Sequence, residues 1–257
     1  RDAGQPSASA TLSEGESARV WVVSDPQQIS GIQRVLGPKT VLIADGHHRF
    51  AVAALRRARH PAVMCFFACL EDPAVVLRPI HRVVNVPEAK RVGWTSEMAR
   101  LCEIQPVSAA EELLRWLAQP GVGRFGYYER GRYARVTVRE AVVQQWAAAS
   151  GGPGGLATLD VTLLHQVLLP QLIGEAGRIS AGSAHTSTGG SRLCDYTAEL
   201  AEAVTMAEGL PGGCAWLLRP ISLARVFELA AQGMAVAQKT TYFHPKLLSG
   251  LVINRFD

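Results

Sequence analysis

Lysine is scarce in this chain. Lys39, Lys90, Lys239 and Lys246 are the only four in 257 residues, so arginine supplies the other 22 of the 26 basic side chains. Net charge is only +4, and the arginines are scattered except for Arg56, Arg57 and Arg59. That argues against a nucleic-acid partner, whose backbone draws massed cations. The three arginines read as the outer face of a helix, with a basic rim for a nucleotide as the sharper alternative. No uninterrupted apolar run reaches the roughly 18 residues of a membrane span, and no signal peptide is visible. The five cysteines are odd in number and contain no Cys-x-x-Cys pair. Cys65 and Cys69 on a strand would stand about 13 Å apart, too far for a disulfide or a shared zinc. Buried, reduced thiols are therefore expected, which suits the cytoplasm. Gly151-Gly152-Pro153-Gly154-Gly155 lacks the Lys-Ser/Thr ending of a phosphate-binding P-loop and reads as a loop or hinge. There is no internal repeat.

What the chain does have is one dense polar turn. Val41-Leu42-Ile43-Ala44 reads as a strand, Asp45-Gly46 as a tight turn, and His47-His48-Arg49-Phe50 as the opening of an alanine-rich helix. A helix start presents N–H groups and the positive end of its dipole, so an anion can bind there. Gly46 lets the backbone approach a ligand, and Arg49 can grip a phosphate with two parallel hydrogen bonds. Asp45 either caps the helix or helps to hold magnesium. His47 and His48 are adjacent and point about 100° apart on a helix, which does not suit one zinc ion.

Along the rest of the chain, residues 1–18 read as a flexible arm and Arg19–Val23 as a strand. Asp25-Pro26 starts a helix that turns Ile29, Ile32 and Val35 inward. Ala62–Leu70 is apolar on both faces and predicts a central, fully covered strand. Val75–Val84 is extended with a break at Pro79, and His81 and Arg82 face opposite ways. Helices are expected at Trp94–Cys102 and Ala109–Ala118, then a hairpin across Arg124–Val138 turning at Glu129-Arg130-Gly131-Arg132. Thr158–Ile173 predicts a helix with His165 in its apolar stripe, bonded to a carbonyl. Glu175–Ser191 reads as a mobile loop or lid. Strands are expected at Leu193–Tyr196, Cys214–Leu218 and Leu251–Ile253, and helices at Ala198–Ala207 and Ser222–Ala231. Two of the four lysines, Lys239 and Lys246, fall in the closing segment, which suggests point-charge contacts to phosphate. The whole predicts an α+β fold, a mixed sheet with packed helices.

Ile43-Ala44-Asp45-Gly46-His47-His48-Arg49-Phe50 resembles the hallmark of a bacterial family known as domain of unknown function 1015, within the ParB/sulfiredoxin-like superfamily. Three further segments resemble that family in the same order: Leu77–Val84 with its Pro-x-His-Arg, Leu159–His165, and Gln238–Val252 with Lys239-Thr240-Thr241. The match runs from about Val20 to the end. The resemblance implies a ParB/sulfiredoxin-like nucleotide-binding portion at 19–150 and a C-terminal α/β portion at 151–257. Members of the family are expected to carry a further segment ahead of the matched region. In the similar free-serine kinases an acidic residue near the start is the general base, and Glu14 and Glu16 lie outside any such motif. The chain is thus a fragment, a processed form, or a member without that chemistry.

The function implied is phosphoryl transfer from ATP or ADP, with Mg2+, to a free amino acid such as serine or a similar small hydroxyl compound. CTP, bound by DNA-partitioning relatives, is left open as the nucleotide. Asp45, His47 and His48 are the catalytic candidates, with Asp45 also the metal ligand. Gly46, His47, His48, Arg49, Lys239 and Lys246 are the phosphate-binding candidates. His81, Arg82, Thr240 and Thr241 are the candidates for a substrate pocket. The alternative is a nucleotide-binding regulator without catalysis, or a nucleic-acid-associated protein of the ParB-like type. Partners are a nucleotide and a small-molecule substrate, with no membrane and with a homodimer left open.

Overall fold

A computed structural model of the chain describes residues 4–11, 17–150, 155–174, 194–234, 239–244 and 247–254. Chain contacts divide it into unit 1, Arg1–Val75 with Pro245–Asp257, and unit 2, Val76–His244. Strands from both sides of the glycine-rich 151–155 stretch belong to unit 2.

Unit 1 opens with β1 (Ala8–Thr11), paired antiparallel with β2 (Ser17–Val20). Part of the arm expected at 1–18 is therefore a strand, because Ala8–Thr11 finds a partner in Ser17–Val20. Helix α1 (Pro26–Leu36) follows, with Asp25 accepting from the Gln27 amide and proline in its first turn, as the sequence predicts. Ile29, Ile32 and Val35 are exposed rather than turned into a core. Helix α2 (His47–Leu55) begins at the polar turn. Neither Val41–Ala44 nor Ala62–Leu70 is a strand, and Phe66 and Phe67 of the second run are 66% and 55% exposed. Cys65 and Cys69 are exposed too, not buried. The reason is pairing: among the described residues of unit 1, only β1 and β2 form a ladder, and a β-prone run becomes a strand only where another strand meets it.

Unit 2 is the α+β body. Its elements are β3 (Val76–Arg78), β4 (His81–Asn85), α3 (Glu88–Leu101), β5 (Cys102–Val107), α4 (Ala110–Leu117), β6 (Arg124–Glu129), β7 (Arg132–Val138) and α5 (Glu140–Ala149). After a 3₁₀ turn at Gly155–Thr158 come α6 (Asp160–Leu163), a π-helical turn at Leu164–Leu168, and α7 (Leu169–Ile173). The chain continues with β8 (Cys194–Thr197), α8 (Leu200–Glu208), β9 (Gly213–Leu217), α9 (Leu223–Ala231) and β10 (Tyr242–His244). Glu175–Ser191, read as a lid, lies outside the described residues.

Six strands form one sheet in the order β5-β7-β6-β9-β4-β8, and each pairing described in it is antiparallel. The β6–β7 hairpin turns on Arg130 and Gly131, both at positive φ (48° and 76°). That is the two-residue turn whose twist matches the flanking strands. Pro79 separates β3 from β4, and β3 leaves the large sheet to pair with β10. The last strand among the described residues is thus Tyr242–His244, where Phe243 meets Leu77, rather than Leu251–Ile253.

Alternation along the strands sends side chains to two cores. Val83, Ala215 and Leu217 pack with Leu113 and Leu117 of α4 and Ala203 and Ala207 of α8. Val84, Cys214 and Trp216 pack the other way, with Trp94, Met98 and Leu101 of α3, Leu163 to Leu169, and Leu229 of α9. Among the described residues no helix is long and apolar enough to cross a membrane.

Helix α8 and strand β9 meet at Gly213, where an added Cβ would run into the Ala207 carbonyl. Backbone cannot yield there as a flexible side chain can. Gly213→Ala is expected to destabilise unit 2 by about 3 kcal/mol, read as a lower urea midpoint with an unchanged slope. An unchanged midpoint would show that α8 does not pack this closely.

Candidate functional site

The predicted site residues fall into two groups, one in each unit. In unit 1, Gly46 caps α2 in the left-handed conformation (φ 83°, ψ 26°), with no side-chain cap. Phe50 is the first amide to bond back into the helix, donating to the Gly46 carbonyl at 2.9 Å. The amides of His47, His48 and Arg49 precede it and lie at the positive end of the dipole.

Arg49 folds back over this glycine. A Cβ added at Gly46 would sit 3.0 Å from Arg49 Nη2 and 3.1 Å from its Nε. Glycine thus does two things here: it adopts a positive φ and it leaves room for the guanidinium. The Asp45 carboxylate lies 3.6 Å from Arg49 Nη2. Both side chains are largely exposed, so the pair adds little stability. It holds the guanidinium beside the helix opening. His47 and His48 are exposed on the first turn of α2. Among the described residues no group of three or more His, Cys, Asp or Glu could hold a metal ion. A single carboxylate suits magnesium that arrives on phosphate oxygens and keeps its waters.

In unit 2, β4 carries His81 and Arg82 to opposite faces, and both are buried. His81 Nδ1 accepts from the Leu218 amide at 3.2 Å. Arg82 is only 1% exposed, yet among the described residues it has no carboxylate within ion-pair distance. Its partners are neutral. Nε donates to His165 Nε2 at 2.9 Å, Nη1 to the Ile80 carbonyl, and Nη2 to the Lys239 carbonyl at 2.8 Å. Its guanidinium carbon also lies 5.3 Å from the Tyr196 ring centre. His165 sits in the π-helical turn, and its bond partner is this guanidinium rather than the carbonyl expected from sequence. Because Nε2 accepts, the proton is assigned to Nδ1, which has no partner among the described residues.

Burial, and then the Arg82 charge, hold His165 down at about 3 and His81 at about 4. Burial lowers Arg82 itself to about 10, so it stays charged at neutral pH between two neutral imidazoles. Lys239 takes a positive φ of 60° and is exposed, Thr240 is buried and Thr241 half-buried. Lys246 lies outside the described residues. The structure therefore joins Asp45, Gly46 and Arg49 in unit 1, and Arg82 with the Lys239 backbone in unit 2. His165 was passed over as a core histidine; the signal for it was a His-Arg strand elsewhere, since a buried arginine needs acceptors.

Both histidines carry a pH consequence. Their folded pKa values lie below the ordinary 6.5, so the unfolded chain binds more protons between 6.5 and about 4. Stability is complete above that window and is lost as pH falls through it, by at most roughly 3 kcal/mol for His81 and roughly 5 kcal/mol for His165, whose window reaches about 3. Melting temperature is expected to drop steadily from pH 7 to pH 5, and less steeply in His165→Gln, which keeps an acceptor for Arg82. A flat profile would contradict the buried, neutral state of these rings.

Comparison with known proteins adds the following. Similar solved structures include a conserved hypothetical protein from Pyrococcus furiosus, 17% identical, covering 86% of this chain and 84% of that one at a TM-score of 0.43. A mutant free serine kinase in complex with AMP is 14% identical, covering 86% of this chain and 81% of that one at a TM-score of 0.41. No curated protein matches the chain by sequence. One family does match, described as a protein of unknown function (DUF1015), over residues 1–162, which include the polar turn and β4. Those residues are more than half of the chain, and the chain belongs to the DUF1015 family.

Proposed function

We propose that this protein is a nucleotide-dependent small-molecule kinase, moving a phosphoryl group from ATP or ADP to a free amino acid such as serine or a similar small hydroxyl compound. One observation carries the reading: the Arg49 guanidinium folds over Gly46 at the opening of α2. Amide donors, helix dipole and a planar bidentate cation converge on one exposed spot. That combination suits a polyphosphate. Phosphoryl transfer asks mainly for positioning and charge neutralisation, and this turn supplies both.

Within the reading, the amides of His47, His48 and Arg49 and the Arg49 side chain bind phosphate oxygens. Magnesium would spread the phosphate charge, with Asp45 as its protein ligand. His47 and His48 either donate to the phosphates or take the proton of the acceptor hydroxyl. Lys246 is proposed as a further phosphate contact.

The test is product formation from ATP or ADP with magnesium and a panel of amino acids, followed by mass spectrometry. A phosphorylated amino acid is expected, and Asp45→Asn with Arg49→Ala should lower kcat/KM by about a hundredfold or more. Product formation that survives the double substitution would contradict the site. Nucleotide that raises the melting temperature without being consumed would instead favour a regulator.

A further inference from the structure

Trp216 and His165 each keep a buried ring nitrogen that finds no partner among the described residues. Both flank Arg82. His165 Nε2 accepts from Arg82 Nε at 2.9 Å, which leaves the proton of Nδ1 without an acceptor among the described residues. Trp216 stands directly opposite Arg82 in the β4–β9 ladder, so the two side chains share one face of the sheet. Its indole is fully buried, and Nε1 is a donor only. Buried donors of this kind call for an acceptor.

The charge of Arg82 points the same way. Each of its three nitrogens has an acceptor, but all three acceptors are neutral. They satisfy nitrogens without balancing the charge, and a buried charge without a counter-charge is costly. Its titratable neighbours supply none: burial keeps His81 and His165 neutral and holds the Cys194 thiol and the Tyr196 hydroxyl protonated. A guanidinium has five N–H groups, so three bonds leave two for a further acceptor.

One positive charge among neutral rings suits one negative charge. A carboxylate brings that charge and two oxygens, which accept in parallel from a guanidinium and keep lone pairs for a ring N–H. A phosphate dianion would instead leave a net negative charge in the interior. Approach is from the β8 side, where the sheet ends, Tyr196 is half-buried and Lys239 is exposed. We propose that the sheet face of unit 2 at Arg82 binds a small monocarboxylate, gripped by the guanidinium and by the ring N–H groups of His165 and Trp216. The site lies wholly within unit 2 and is independent of the phosphate reading of the α2 opening.

The probe is acetate labelled with carbon-13, titrated into the full chain at about pH 7, where the carboxylate is ionised. Sodium chloride holds the ionic strength constant, and broadening of the carboxyl line reads binding. One saturable site of roughly millimolar affinity is expected, because so small a ligand has few atoms to bind with. Phosphate at equal ionic strength should displace the acetate at least about tenfold less well than unlabelled acetate does. Trp216→Phe keeps an aromatic ring and removes the N–H, so it should bind acetate about fivefold more weakly. Arg82→Lys keeps the charge and loses the parallel donors, and should bind about tenfold more weakly. The inference is overturned if wild type shows no saturable binding, or if phosphate displaces acetate as well as acetate itself does. It is also overturned if Trp216→Phe binds as wild type does, a result that stands even if Arg82→Lys fails to fold. None of these outcomes bears on nucleotide binding at α2, which is read separately with ATP.

Discussion

A charged guanidinium sits inside unit 2 with only neutral acceptors among the described residues, and three stretches of that unit converge on it. Burying a charge is costly unless every donor finds a partner. Arg82 meets the requirement by drawing on His165 from the π-helical turn, Ile80 from the break after β3, and Lys239 from the closing segment. These acceptors come from three separate stretches of chain. The sheet helps from within: Trp216 and Tyr196 are the cross-strand neighbours of Arg82 on β9 and β8. Aromatic faces tolerate a cation that aliphatic ones would not. The extra residue per turn in a π-helix places His165 where a regular helix would turn it elsewhere.

Unit 1 handles positive charge in the opposite way. There the guanidinium of Arg49 is exposed, paired loosely with Asp45 and folded over a glycine at a helix opening. An exposed ion pair in water contributes little to stability. Under the proposed function, that arrangement preorganises donors for an anion. One arginine is enclosed among acceptors, and the other stands at the surface.

Legibility in the sequence followed the range of the signal. Asp25-Pro26, Arg130-Gly131 and Pro79 act on their own neighbours, and the cap, the turn and the break appear where the residues predict them. Gly46 was readable in the same way, and its left-handed φ is the local rule met. Strand formation depends on distant partners, and there composition misled. Ala62–Leu70 and Leu251–Ile253 are as β-prone as any segment, yet among the described residues they pair with nothing. Tyr242–His244 carries no strong strand signal of its own and becomes β10 because Leu77 and its neighbours offer it an edge. The link between Arg82 and Lys239 spans 157 residues, and no local pattern announces it.

If the opening of α2 holds a polyphosphate, a crystal soaked with ATP and magnesium will reveal it there. Phosphate oxygens should lie within hydrogen-bond distance of the His47, His48 and Arg49 amides, with the Arg49 guanidinium alongside. Nucleotide bound at another place while this turn stays bare would contradict it.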